Sequence, residues 1–127
     1  MNEGRIIDLN DKKLILEELL YVDSYYTFSV KVKSGEFAGK SSFCIPEKSI
    51  NNLTTGFKMM YEELEGQIVI NDFDSDAFIS FQMKKLGHIV ISGQVGGSHQ
   101  KQYLKFELES DQTILDKMIR YFNQKIK

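Results

Sequence analysis

Residue types that support disulfide, metal or nucleic-acid chemistry are scarce in this sequence. Its 127 residues include one cysteine, two histidines, one proline and no tryptophan. A single cysteine excludes a disulfide within the chain and is typical of a reducing compartment. Sixteen Lys and Arg stand against eighteen Asp and Glu, which gives a net charge of −2. This balance disfavours nucleic acid and anionic membranes as partners, because both need a basic surface.

Long apolar runs are also missing. No uninterrupted run approaches the roughly 18 residues that span a bilayer, and the first residues, Met1-Asn-Glu-Gly-Arg, lack the pattern of a secretory signal. We therefore expect a cytoplasmic protein. Hydrophobic residues make up 42% of the chain, too many for disorder. We predict a single domain over residues 1–127, of which residues 1–11 are loosely ordered.

Alternating side chains predict strands in the first third of the chain. Residues 12–22 fit a helix or a strand on periodicity alone, and we favour a strand. In residues 26–33 apolar and polar side chains alternate, which predicts a strand with one buried face. Ser34-Gly35-Glu36 predicts a turn, so residues 26–45 are expected to form a hairpin that ends at Pro46.

Helical spacing of apolar residues occurs twice. Pro46 suits the start of a helix, and the apolar spacing that follows predicts one over residues 47–64, with Gly66 as its C′ residue. Asp111 is expected to cap a second helix over residues 111–126 by accepting from N–H groups of its first turn. Gly56 is an internal weak point of the first helix, costing about 1 kcal/mol relative to Ala.

Four more strand-like segments lie between the helices, and short turn-rich connectors join them. These segments are residues 67–71, 77–86, 88–95 and 102–109. Such a series predicts an antiparallel meander. The predicted fold class is α+β, a curved antiparallel sheet of six to seven strands with two helices, in the order β(β)βαββββα. No sequence repeat or linker is evident.

A calcium loop is the first chemical motif to consider. Asp72, Asp74 and Asp76 have the alternate spacing with which such a loop begins. However, Ala77 stands where the loop needs Gly, and Met83 stands where it needs a bidentate Glu. The segment is therefore better interpreted as a polar turn between strands.

Catalytic motifs are missing as well. His88 and His99 belong to no spaced metal-binding pattern, and Cys44 has no nucleophile signature around it. The sequence thus predicts no catalytic residue, no metal ligand and no cofactor.

Acidic residues cluster in sequence around the segment 67–71. They form either a solvated end of the domain or a patch that meets a basic partner. The candidate partner-binding residues are Glu62, Glu63, Glu65, Asp72, Asp74 and Asp76. An alternative function is that of a small-ligand-binding or regulatory module, in which the sheet and the two helices enclose an apolar pocket. Its candidate lining residues are Phe43, Phe78, Phe81, Met83 and Phe106.

Several short motifs occur in an order known from one protein family. They are Gly-Glu-Phe-Ala-Gly (35–39), Tyr-Glu-Glu-Leu-Glu-Gly (61–66), Gly-His-Ile-Val-Ile-Ser-Gly (87–93) and Leu-Lys-Phe-Glu-Leu-Glu-Ser-Asp-Gln-Thr (104–113). Over residues 24–126 the chain resembles the WapI-like immunity proteins, which protect bacteria against WapA or Rhs-type toxin tips delivered by neighbouring cells. The most specific parts are residues 111–113, followed by residues 87–88.

The resemblance implies a cytosolic, non-enzymatic protein that binds the C-terminal domain of one cognate toxin, often a nuclease. We interpret the motif residues as structural, because glycines permit tight turns and close backbone approach and Asp111 caps a helix. These residues are Gly35, Gly39, Gly66, Gly87, His88, Gly93, Asp111, Gln112 and Thr113.

Overall fold

The computed structural model describes residues 3–124. Its strands are β1 (Glu3–Asp8), β2 (Lys12–Val22), β3 (Tyr25–Ser34), β4 (Phe37–Pro46), β5 (Gln67–Asn71), β6 (Phe78–Met83), β7 (His88–Val95) and β8 (Leu104–Asp111). Its helices are α1 (Glu47–Glu63) and α2 (Thr113–Asn123). Neither helix combines the length and apolarity that crossing a membrane requires.

The chain forms the same arrangement twice, a four-stranded antiparallel meander followed by a helix. One sheet has the order β1-β2-β3-β4 and the other β5-β6-β7-β8. The predicted α+β class, the two helices and the antiparallel pairing are confirmed. The strands divide over two sheets of four, whereas we predicted one sheet of six to seven. The division follows from α1, which begins where β4 ends and carries the chain away before β5 starts.

The first strand was not anticipated. Residues 1–11 were expected to be loosely ordered, but Glu3–Asp8 pair with β2 from Glu3↔Glu17 to Asp8↔Lys13. Ile6 and Ile7 are 2% and 7% exposed. This burial, together with the ladder of backbone hydrogen bonds, explains the order of the segment. Residues 1 and 2 lie outside the described part of the chain.

The helix ends differ from the predicted ones. α1 ends at Glu63, and its C-cap residue Leu64 has a left-handed backbone (φ 55°) and donates its N–H to the Met60 carbonyl. Gly66 also has positive φ, but it follows the cap and accepts from the Met83 N–H at 3.0 Å. α2 begins at Thr113 instead of residue 111 and ends at Asn123. The predicted final residues 125 and 126 are outside the described residues.

Two strand boundaries also shift. The segment predicted over residues 77–86 stops at Met83, and a short 3₁₀ turn, Lys85–Gly87, leads into β7. Leu86 in this turn has φ 60° and is 96% exposed, so it cannot continue a buried strand. The strand predicted over residues 102–109 runs instead from Leu104 to Asp111.

One hydrophobic core joins both halves of the chain. Phe28 of β3 packs edge-on against Phe122 of α2, with ring centroids 5.9 Å apart. Phe122 stacks on Phe57 of α1, and Phe57 packs edge-on against Phe81 of β6 at 5.1 Å. These four rings are each at most 1% exposed. The core therefore links both sheets through both helices.

Candidate functional site

Asp72, a predicted partner-binding residue, points into the protein. It is 8% exposed. Its Oδ1 accepts from the backbone N–H groups of Cys44 at 2.8 Å and Asp74 at 3.2 Å, and its Oδ2 accepts from the Ser75 hydroxyl at 2.6 Å. The carboxylate thus ties the β5–β6 loop to β4. Asp72 has a structural role, and its side chain offers little accessible surface to a partner.

The Asp76 carboxylate is bonded to a different loop. It accepts from both the hydroxyl and the backbone N–H of Ser98, and from the Gln94 amide at 3.1 Å. The Ser98 hydroxyl is the main cause that lowers the pKa of Asp76 below its usual value. Asp76 therefore joins the β5–β6 loop to the β7–β8 loop as an ionised acceptor.

The six candidate carboxylates do not form one patch. Glu62, Glu63 and Glu65 are exposed at the end of α1, and the aspartates follow the other end of β5. At about 3.3 Å per residue, a strand of five residues separates the two groups by about 16 Å. In the acidic turn, Asp74 keeps an exposed side chain with no carboxylate hydrogen bond among the described residues.

Two adjoining surface clefts lie where β4 faces the β7–β8 loop. One of about 740 Å³ includes Gly39, Lys101 and Tyr103, and an adjoining one of about 450 Å³ includes Thr27, Asp74 and His99. Both are lined largely by polar side chains, among them Lys40, Ser41 and Gln100, and by glycines. These clefts are thus unlike the apolar pocket that the alternative function needs.

The residues predicted to line that apolar pocket belong to the packed interior. Phe43 and Phe81 are fully buried, and Met83 and Phe106 are each 8% exposed. All four are members of the shared core, and Phe78 is partly exposed. Four of the five side chains are thus packed in the core, where they do not surround a ligand space.

Nucleophilic and metal-ligating side chains are dispersed. Burial, followed by the nearby charges of Asp74 and Asp72, raises the pKa of the Cys44 thiol and disfavours the reactive thiolate. His88 is the first residue of β7, whereas His99 lies in the loop between β7 and β8. Across residues 3–124, no three His, Cys, Asp or Glu side chains come together in a way that could hold a metal ion.

The two most specific motif segments meet at one corner of the second sheet. His88 is paired with Asp111 at the end of the β7–β8 ladder. The Asp111 carboxylate accepts from the Thr113 N–H at 2.9 Å and from the Thr113 hydroxyl at 2.5 Å, which lowers the pKa of Asp111. A Cβ on Gly87 would lie 2.7 Å from the Gln112 side chain. The motif therefore holds the junction where β8 turns into α2.

Steric limits or a positive φ also explain the other motif glycines. A Cβ on Gly93 would lie 2.1 Å from the Phe78 carbonyl oxygen, so only Gly fits there. A Cβ on Gly39 would lie 3.0 Å from Val95. Gly35 and Gly66 have φ of 62° and 109°, values that favour Gly.

An exposed apolar surface was missed by sequence reasoning. At the end of the β2–β3 hairpin, Leu20 and Val22 are 51% and 54% exposed, and Phe73 is 61% exposed. Phe73 packs on Tyr25, with ring centroids 5.2 Å apart. We call these four residues the apolar ledge. The available signal was the run Leu19-Leu20-Tyr21-Val22, since four consecutive apolar residues in a strand cannot all face one core.

Comparison with known families yields a match over most of the chain. The sequence model of the immunity protein WapI-like family matches residues 16–127. No curated protein matches the chain.

Two solved structures resemble the fold. A structure of MRP1/MRP2 from Trypanosoma brucei aligns over 89% of this chain and 72% of its own, with a TM-score of 0.53 and 11% identity. A guide-RNA-binding protein complex bound to a guide RNA aligns over 96% of this chain and 87% of its own, with a TM-score of 0.58 and 11% identity. At such identity these similarities show the fold alone.

Proposed function

This chain belongs to the immunity protein WapI-like family, and we propose on that basis that it protects its cell by binding one cognate toxin domain directly. The observation that carries the proposal is the family match over residues 16–127, nearly the whole chain. The partner is the C-terminal domain of a bacterial toxin, with nuclease activity as the expected chemistry. The site of action is the cytoplasm, where an incoming toxin would act.

Inhibition by binding fits the chemistry of the described residues. Cys44 has a raised thiol pKa, and Asp72 and Asp76 are engaged in hydrogen bonds that hold loops together. A protein that only blocks its partner needs a complementary surface and no reacting group. We therefore propose that the chain is not an enzyme.

Charge supports a contact through exposed carboxylates. A nuclease carries basic surface for its substrate, and opposite charge accelerates encounter between two proteins. Asp72 is excluded by its burial. The contact would use Asp74 and Asp76 at one end of β5, or the three glutamates at the other.

The function is tested by co-expressing the chain with the C-terminal domain of the toxin encoded immediately upstream. Rescue of growth and co-purification of the two proteins are expected. Growth arrest despite abundant, folded protein would refute the pairing.

The charged contact is tested by reversing each acidic group separately, since they lie on different parts of the surface. Asp74→Lys, or the combined change of Glu62, Glu63 and Glu65 to Lys, should slow association in a salt-dependent way if that group faces the toxin. Glu36→Lys, in the exposed β3–β4 turn, makes the same charge change as Asp74→Lys and is its control. Equal association rates for all variants would reject both locations.

One structural neighbour is named as an RNA-binding protein, but we do not propose RNA binding for this chain. The likeness is one of fold at 11% identity. The net charge of −2 gives no electrostatic basis for holding a phosphate backbone.

A further inference from the structure

Within residues 3–124, the outer edge of β2 has no partner strand at its C-terminal end. From Glu3, the first described residue, β1 pairs with β2 up to Glu17, and β2 continues to Val22. No described strand pairs with the outer edge of residues 19–22. Alternate N–H and C=O groups of an antiparallel strand point away from its one partner, so this segment presents unpaired backbone groups. An extended peptide is the ligand that such groups accept.

A bulge in β2 creates the apolar ledge. Before the bulge, Leu14 and Leu16 are buried, and Glu18 is paired with Phe28. The register then shifts, and Leu20 pairs with Thr27 and Val22 with Tyr25. Because directly paired residues share a face, Leu20 and Val22 lie on the outer face, away from the buried Tyr26 and Phe28. Without the shift both would point to the core. Bulges of this kind re-aim side chains and are frequent near functional sites.

The ledge is continuous across three segments of the chain. Leu20 and Val22 come from β2 and Tyr25 from β3. Phe73 comes from the β5–β6 loop and is held by its own N–H, which donates to the Cys44 carbonyl at 2.8 Å. By contrast, Phe37 and Leu86 are exposed at separate turns. Contiguous apolar surface of this kind marks interaction sites, whereas single exposed residues are ordinary.

Carboxylates lie at both ends of the ledge. Asp23 follows Val22 at the exposed tip of the hairpin, and Asp74 follows Phe73 and lines a cleft together with Thr27. An apolar centre with a charged rim is the usual anatomy of a protein interface. Because Asp23 and Asp74 are negatively charged, the complementary residue of the partner is Lys or Arg. A second copy of this chain would offer residues 19–22, which contain no basic side chain, so a different protein fits better.

We propose that the toxin domain docks here by adding an extended strand to the open edge of β2. Its apolar side chains would rest on the ledge of Leu20, Val22, Tyr25 and Phe73, and a Lys or Arg would meet Asp23 or Asp74. This inference rests on the proposed immunity function and names the surface that performs it.

Matched lysine substitutions test the location with the same toxin domain. Val22→Lys puts a charge on the ledge, and Phe37→Lys puts the same charge on an exposed residue at the other end of the β3–β4 hairpin, about 30 Å from Tyr25. We expect Val22→Lys to weaken binding at least about thirtyfold, as loss of an interface anchor does, and Phe37→Lys to bind as the wild type. Phe73→Ser changes the ledge on a separate segment and should weaken binding as Val22→Lys does. Agreement between the two variants would show that the loss of binding does not come from a folding defect in one of them.

The outcomes separate the two proposals. If the wild type binds the toxin domain and both ledge variants bind it as tightly as the wild type does, the proposed docking surface is wrong and the immunity function stands. If the wild type does not bind, the function is refuted for this toxin and the docking surface falls with it.

Hydrogen exchange tests the strand addition itself. The outward amides of residues 19–22 should exchange fast in the unbound protein and become protected in the complex. Protection that is already present in the unbound protein, or a dimer in sedimentation, would show that another segment or a second copy covers the edge and would overturn the proposal.

Discussion

At the residue scale, Gly93 has the narrowest steric tolerance among the glycines. The site of its missing Cβ is 2.1 Å from the Phe78 carbonyl oxygen and 3.0 Å from the Cα of Ile79, both on the paired strand β6. Backbone in the middle of a sheet cannot move away without breaking the ladder. We therefore expect Gly93→Ala to lower the free energy of unfolding by about 2 kcal/mol or more, measured by urea denaturation.

Gly56 provides the contrasting control. It lies inside α1, and its Cβ would approach only the end of the Ile68 side chain, at 3.2 Å. Since that side chain can shift and Ala is the better helix former, Gly56→Ala should stabilise the protein by up to about 1 kcal/mol. Equal changes in the free energy of unfolding for the two substitutions would contradict a steric conflict between residue 93 and β6.

Asp76 gives a residue-scale prediction for pH. Hydrogen bonds from Ser98 lower its pKa in the folded protein. A group with a lowered folded pKa stabilises the fold above its unfolded pKa, near 3.9, and loses that contribution as pH falls through the folded pKa. Asp76→Asn should therefore lower the melting temperature at neutral pH, and the difference from wild type should shrink in strong acid. Glu36→Gln, at an exposed turn, is the control. A difference independent of pH would contradict this role for the carboxylate.

At the element scale, the end of α1 is suboptimal. Leu64 adopts the left-handed conformation, φ 55° and ψ 38°, which costs a residue with a Cβ about 1 kcal/mol. Its side chain is 47% exposed, so little packing would be lost on truncation. Leu64→Gly should therefore stabilise the protein by a few tenths to about 1 kcal/mol.

A second glycine in the same helix tests this explanation. Lys58 is exposed in the interior of α1, where Gly is unfavourable by about 1 kcal/mol relative to Ala. Lys58→Gly should destabilise while Leu64→Gly stabilises, both followed by urea denaturation. Destabilisation by both variants would show that the Leu64 side chain contributes more than its backbone costs.

At the scale of the whole molecule, the two ββββα halves depend on each other. The ring contacts among Phe28, Phe57, Phe81 and Phe122 join β3, α1, β6 and α2. Neither half can bury its helix without the other. We predict that the chain unfolds in one transition, as a single domain does, with coincident loss of far- and near-ultraviolet circular dichroism. A separate chain of residues 1–66 should remain unfolded, and a folded, stable half would contradict the shared core.

Much of the fold could be predicted from local sequence. The alternation from Tyr26 to Lys33 and the apolar spacing after Pro46 were correctly interpreted as β3 and α1. The order of Glu3–Asp8 was not predicted, because its stability comes from pairing with β2 and burial of Ile6 and Ile7. Leu64 was missed as a helix cap because Gly is the usual residue in that conformation.

Less of the candidate site could be predicted from the sequence. Asp72, Asp74 and Asp76 have similar surroundings in sequence, yet one is buried against β4, one is exposed and one is bonded to Ser98. These differences depend on loops brought together from residues far apart in the chain. No local pattern encodes which way each carboxylate turns.

The sequence by itself determined the α+β class, both helices, most strands and, through its ordered motifs, membership of the immunity family, because periodicity and short motifs are local properties. The tertiary structure decided the division into two sheets, the inward turn of Asp72 and the apolar ledge beside an open strand edge. Those features depend on register, and a single bulge near Leu19 is enough to change which side chains of β2 face solvent.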